Sequence, residues 1–370
     1  MKKRLALILI ITMLFIVSAI STGCRSKPEE LTIEKVKLAF IHIGDPADMG
    51  YTYRHHTGTL KMMANLGITE DQVINYLNIP AGSRLDSTIN EAIEWGADMI
   101  FGTGFGYGPH MLEAAQKNPD VRFFHAAGNL AAGAGLDNFY NYFGAISQAR
   151  YLSGIAAGMR TETNILGFVA AHPTAEVITG YTAFYLGALS VNPEVTMYVM
   201  YTGAWNDPAK ERQAAQALID NGADVLGQHA DSPATQTTAE SNGVWSVGYN
   251  DDMIASAPNA VLVSPMFDWS IYLTKAVQTI IDGENMPRDF IAGLNEEMVL
   301  ITATNPATIV PGTNEAIADA RTRIINGFNI FTGPIYSNTG EQILASGEEW
   351  VEPISTPSWT HIIQGITIIE

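Results

Sequence analysis

From Val36 onward, short apolar runs alternate with stretches in which apolar residues recur at helical spacing. The runs VKLAFIHI (36–43), QVINYLNI (72–79), ADMIFGTG (97–104) and VRFFHAAG (121–128) read as strands, with helices near 51–66, 84–95 and 109–117 between them. Such alternation predicts an α/β fold with a mainly parallel sheet. Gly67, Gly96 and Gly222 each follow a helical stretch, as C-terminal caps do, and Asp207 followed by Pro208 marks a helix start.

The pattern then restarts. LAFIHI from Leu38 is echoed by LGFVAA from Leu166, GYT at Gly50 by GYT at Gly180, and GADMIFG at Gly96 by GADVLGQ at Gly222, with offsets between 126 and 130 residues. Three matches in one order at a nearly constant offset predict two lobes of similar build. Ligands of open α/β sheets bind beyond the carboxyl ends of the strands. Two facing lobes would therefore share a cleft lined by the loops at 44–53, 103–108, 128–138, 171–177, 203–207, 230–233, 249–252 and 266–270. Those loops carry Tyr51, Tyr53, Phe105, Tyr107, Trp205, Tyr249, Phe267 and Trp269, a concentration of rings that suits a flat ligand.

The N-terminus adds a location. MKKRLALILIITMLFIVSAISTGC has three cations, an apolar run, and small residues ending at Cys24, the single cysteine of the 370-residue chain. That is the layout of a secretory signal peptide, and the place of the cysteine resembles a bacterial lipoprotein signal. Cleavage would remove Lys2, Lys3 and Arg4 and no acid, so 17 bases would face 38 acids and the formal charge would move from −18 to −21. A nucleic-acid-binding surface, which needs clustered Lys and Arg, is not expected. No later segment approaches the roughly 20 continuous apolar residues of a membrane span.

Catalytic motifs do not emerge. There is no G-x-S-x-G, H-E-x-x-H, Walker A loop or C-x-x-C. GTGFGYGPH from Gly102 has Tyr107 where the dinucleotide fingerprint needs glycine, and reads as a tight strand-to-helix turn. His42, His55 and His56 do not form a convincing metal site, because His42 sits in a strand and adjacent residues on a helix point about 100° apart. The pair Asp251 and Asp252 reads as solvated.

The lipoprotein signal, DMGYTY, VRFFHAAGN, GAWNDPAKE, ALIDNGADVLGQHADSP, GYNDDM and FDWSIY, in this order, resemble the basic membrane protein family of ABC-transporter substrate-binding lipoproteins, whose better-known members are purine nucleoside receptors. The resemblance runs from about Val36 to past residue 340. It implies a type I periplasmic-binding-protein fold of two similar α/β lobes with a ligand cleft between them and three hinge crossings. The expected boundaries are 1–23 for the signal peptide and 24–35 for a tether. Residues 36–145 with 267–302 would form the N-terminal lobe, and 146–266 with 303–370 the C-terminal lobe. It also implies a monomer without enzymatic activity or cofactor, lipid-anchored through Cys24 on the extracytoplasmic face and partnered by an ABC permease.

In the nucleoside receptors of the family, two aromatic residues sandwich the purine, and by motif these fall on Tyr51 and Trp205. Stacked rings contribute about 0.5–1.5 kcal/mol beyond area burial. The receptors grip ribose with an aspartate and a lysine. The first aligns with Asn250, although a one-residue shift would bring Asp251 there, and the segment 267–272 holds no lysine. A buried hydroxyl without a partner costs about 1–3 kcal/mol, so the expected ligand is a free purine base such as adenine or guanine. Trp269 would fill the sugar space, with Asp268, Asp231, His125 and Asn129 facing the ring edge and Asp45, Thr52, Tyr53 and Phe105 completing the site. The alternatives are a purine nucleoside or flavin ligand, a secreted nucleoside hydrolase using Asp45 and Asp48, and a sensor that docks on a membrane kinase.

Overall fold

The computed structural model describes residues 31–352 and 356–370, so the signal segment, Cys24 and most of the tether lie outside it. Two parallel sheets organise the chain. The first contains β1 (Leu38–Ile41), β2 (Val73–Tyr76), β3 (Met99–Gly102), β4 (Arg122–Ala126), β5 (Phe139–Gly144) and, from much later in the chain, β11 (Asp289–Ala292), in the order β11-β5-β4-β3-β1-β2. The second contains β6 (Ile165–Ala170), β7 (Thr196–Tyr201), β8 (Val225–His229), β9 (Trp245–Ser246) and β15 (Ile366–Ile369), in the order β15-β7-β6-β8-β9. The runs read as strands from their apolar pattern are strands, and most of their residues are buried, as strands covered on both faces by helices must be.

Register explains part of the first core. Phe40 pairs with Phe101, Phe101 with Phe124 and Phe124 with Tyr140, which stacks four rings across β1, β3, β4 and β5 at centroid separations of 4.8, 4.6 and 4.9 Å. Around this sheet lie α1 (Tyr51–Leu66), α2 (Ser83–Trp95), α3 (Gly108–Lys117), the short α4 (Ala131–Ala134) and α9 (Ser270–Ile281). Helices α5 (Ile146–Arg160), α6 (Ala175–Leu189), α7 (Pro208–Asp220), α8 (Ala234–Ser241) and α10 (Thr313–Ile325) belong with the second sheet. Gly67 and Gly96 end α1 and α2 with φ of 71° and 94°, and Gly222 (φ 93°) follows α7, so each supplies the left-handed turn that stops a helix. Asp207 accepts a hydrogen bond from Lys210 N (3.1 Å) and caps α7, with Pro208 in its first turn.

Each sheet feeds its strands in one direction, so the loops at their carboxyl ends collect on one side. The chain passes between the sheets after β5, along β10 (Pro265–Phe267) and along β12 (Val299–Ile301), the last two forming an antiparallel pair. A small hairpin of β13 (Ile335–Tyr336) and β14 (Gln342–Leu344) precedes β15. This is the two-lobed type I architecture expected from the sequence. The lobes correspond strand for strand: β1 pairs with β2 and β3 as β6 pairs with β7 and β8, so the LAFIHI/LGFVAA and GADMIFG/GADVLGQ matches fall at equivalent places. The GYT match does not. Gly50 precedes the first residue of α1, whereas Gly180 lies inside α6, the helix in the same place after β6, so that match is out of register by about a turn and a half.

Candidate functional site

A cavity of about 120 Å³ lies between the lobes, at the carboxyl ends of both sheets. Strands β1, β3 and β4 deliver Ile43, Thr103 and Ala127, and Tyr51 enters from the first turn of α1. From the other lobe come Glu176 on α6, Trp205 before α7, His229 at the end of β8, Asp231 after it, and Tyr249 and Asn250 after β9. Phe105, about half exposed, stands at the edge.

The opening loop of the first lobe is built to aim Tyr51. Asp45 accepts from Ala47 N (2.9 Å), and Asp48 accepts from the backbone N–H groups of Gly50 (2.8 Å), Thr52 (3.0 Å) and Tyr53 (3.0 Å). Both acids are thus spent on turn and helix-start donors that otherwise lack partners. Behind Tyr51, its ring meets His55 edge-on at 4.6 Å and Trp269 at 5.9 Å. Opposite, the Trp205 ring packs against His172 (4.9 Å) and His229 (6.1 Å).

Asp231 joins these two walls. Its backbone N–H donates to Trp205 O (2.8 Å), while its Oδ1 accepts from Tyr51 N (3.1 Å) in the other lobe and from Asn250 Nδ2 (3.3 Å). Burial, with Asp48 nearby, pushes its carboxyl up to about 8, against partial relief from the Tyr51 N–H. Glu176 is buried with Oε1 3.4 Å from His229 Nε2, and Tyr249 Oη stands 3.4 Å from the same nitrogen. Burial lowers the affinity of His229 for a proton, and the Glu176 carboxyl opposes that shift. Tyr249 is held from behind by the fully buried Arg150, whose guanidinium lies 3.7 Å from the ring centre and donates to Gln228 O (2.6 Å).

Of the residues expected at the site, Tyr51, Phe105, Trp205, Asp231 and Asn250 line the cavity, and the others do not. Asp45 is exposed in its turn. Thr52 is buried and Tyr53 half-buried on α1, beside the lining residue Tyr51. His125 is buried with Nε2 2.9 Å from Gly104 O, burial holding it down at about 4, and Asn129 is exposed. Asp268 pairs with Lys61 (2.7 Å) and accepts from Ser270. Trp269 is fully buried in the first lobe, stacked between His55 (4.2 Å) and Phe267 (4.3 Å), because β10 and α9 run behind α1 and not into the cleft. Glu176 and His229 were not singled out from the sequence. Among the described residues, no group of three or more His, Cys, Asp or Glu could hold a metal ion, and no helix is long and apolar enough to cross a membrane.

The family is settled by direct comparison. A family model described as ABC transporter substrate-binding protein PnrA-like matches residues 35–332. The chain belongs to this family. A purine-binding protein of Brucella abortus is 35% identical over 320 residues, 85% of this chain and 89% of the relative. A putative ABC transporter glucose-binding protein of Haloferax volcanii is 32% identical over 312 residues, 84% of this chain and 78% of the relative. An ABC transporter nucleoside-binding protein of Lactococcus lactis is 26% identical over 274 residues, 68% and 75% of the two chains. Among solved structures, an ABC transporter solute-binding protein from Conexibacter woesei superposes with a TM-score of 0.67 at 20% identity, over 79% of this chain and 97% of that one. The protein is therefore a solute-binding component of an ABC importer that takes a small organic ligand. Membership also implies an extracytoplasmic location.

Proposed function

We propose that the protein captures a purine-type ligand, a free base in preference to its nucleoside, and delivers it to a membrane permease. The observation that carries this reading is the pair of rings on opposite walls of one small cavity, Tyr51 from the first lobe and Trp205 from the second. Two such rings suit the faces of a flat heterocycle. The volume of about 120 Å³ is well below the roughly 300–1,000 Å³ typical of drug-sized sites, which favours a base over a base with its sugar. Among the described residues neither a lysine nor an arginine lines the cavity, and Asn250, which lines it, is the residue that aligns with the receptors' aspartate unless the alignment shifts by one to Asp251. The relative named as purine-binding supports the same choice.

In this reading Cys24 carries the lipid and residues 24–35 tether the body to the membrane. The two lobes, 36–145 with 267–302 and 146–266 with 303–370, move about the three crossings. A second reading is a monosaccharide: Glu176 and Asp231 beside Trp205 also suit sugar hydroxyls, and one relative is named as putatively glucose-binding. Titration calorimetry with purine bases, their nucleosides and glucose separates these. Tightest binding by a base is expected. A nucleoside that binds more than tenfold tighter than its own base overturns the free-base reading, and binding of glucose alone overturns the purine.

A further inference from the structure

Two acceptors of the cavity wall, one on Asn250 and one on Glu176, are left open among the described residues. Asn250 is fully buried, and because its Nδ2 donates to Asp231, its Oδ1 remains without a partner. Glu176 places Oε1 toward His229, and no hydrogen bond reaches its Oε2 among the described residues. Among the described residues no lysine or arginine lines the cavity to balance them. Arg150, the buried cation nearby, lies on the Tyr249 ring and donates through Nη1 to Gln228 O, while its Nε and Nη2 have no hydrogen-bond partner among the described residues and stand behind the cavity wall. Thr103, the hydroxyl on the first-lobe side, already donates to Ile41 O (3.3 Å). A buried acceptor without a donor is a standing penalty that a ligand N–H removes and a ligand carbonyl worsens.

We propose that Glu176 and Asn250 form an acceptor pair that selects amino-substituted purines over their oxo counterparts, with Glu176 reading the amino group. The inference rests on the purine reading above and adds its specificity. Adenine presents N–H donors and ring nitrogens but no carbonyl, and hypoxanthine replaces its amino group by a carbonyl. Guanine and xanthine form the same contrast at the other ring carbon. The remaining oxygen of Asp231 does not discriminate, since a carboxyl can donate to a ring nitrogen when protonated and accept from an N–H when ionised.

The test is titration calorimetry on the purified full chain with the matched pairs adenine and hypoxanthine, guanine and xanthine. For at least one pair, the amino member should bind about tenfold tighter or more, which corresponds to about 1.4 kcal/mol. Glu176→Gln, whose amide can offer an N–H to a carbonyl, should reduce that ratio to about threefold or less while leaving the melting temperature of the unliganded protein close to wild type. Oxopurines binding as tightly as aminopurines would overturn the proposal, as would a folded Glu176→Gln variant that keeps the full ratio. If the variant does not fold, the ratios in the wild type decide alone. If glucose binds and no purine does, the purine reading itself falls and this inference with it, a result distinct from equal binding within each pair.

Discussion

At Asp231, a carboxyl of the second lobe is held against the helix start of the first, and its protonation should govern how the empty protein responds to pH. Its carboxyl is pushed up to about 8 by burial and by Asp48, with Glu211 adding to the effect and the N–H groups of Tyr51 and Asn250 opposing it. In the unfolded chain an aspartate titrates near 4. Between those values the folded protein keeps a proton that the unfolded chain has released. The stability contributed by this group is therefore fully present below about pH 4 and is lost as pH rises towards 8, above which it stays constant. At about 1.36 kcal/mol per pH unit, a lift of this size corresponds to roughly 5 kcal/mol. Asp231 keeps some contact with solvent in the cavity, so a loss of about 2–4 kcal/mol is the expected outcome. Asp231→Asn removes the titration while leaving Asp48, Glu176, Glu211, Tyr51, Tyr249 and Arg150 in place. Urea unfolding of the ligand-free wild type and variant at pH 5, 6.5 and 8 should show the variant gaining on the wild type by about two thirds of that amount as pH rises, since part of the loss falls below pH 5. A difference between the two that does not change with pH would refute the reasoning.

Tyr51→Ala and Trp205→Ala should each weaken ligand binding by about three- to tenfold, the range that stacking contributes beyond burial, and calorimetry showing wild-type affinity in both would remove the two-ring wall from the site. Gly50→Ala should impair approach of the lobes, because the added Cβ would stand 2.7 Å from Asp231 Cβ and 2.8 Å from Asp231 Cα across the cleft. Overpacking of that kind costs about 1–3 kcal/mol. The effect should appear as weaker ligand affinity and as a lower melting temperature of the empty protein, in which the same contact is made.

The regular elements were legible because strands buried on both faces leave continuous apolar runs, and because Gly67 and Gly96 in the first lobe and Asp207 in the second punctuate the helices. The cleft was legible only in part. Tyr51 and Trp205 lie directly before or at a helix start after a strand, where topology forces a residue toward the cleft. Trp269 has much the same local context, a ring between β10 and α9, yet it packs into the core. What separates them is that β10 belongs to the crossing between lobes and not to either main sheet, a fact carried by long-range pairing with β12. Glu176 had a readable signal, being the single charge in α6, whereas Arg150 shares α5 with Gln148 and Arg160; both are buried at or behind the cavity. The repeated GYT is a weaker guide, since it falls in the corresponding helices α1 and α6 but at different points along them.

Recognition and closure converge on the same residue. Trp205 is tied to Asp231 through the backbone, and Tyr51 is tied to it through the side chain, so the distance between the two rings depends on whether the Asp231 bond across the lobes is made. Gly50 permits that contact by lacking a Cβ. A ligand can shift a conformational equilibrium only by the difference in its affinity for the two states. On the proposed purine reading, a flat ligand would touch both rings only with the lobes together, so its stacking energy would enter that difference directly. The same geometry explains why a ligand that reached only one wall, however well it stacked there, would bind without stabilising the closed form.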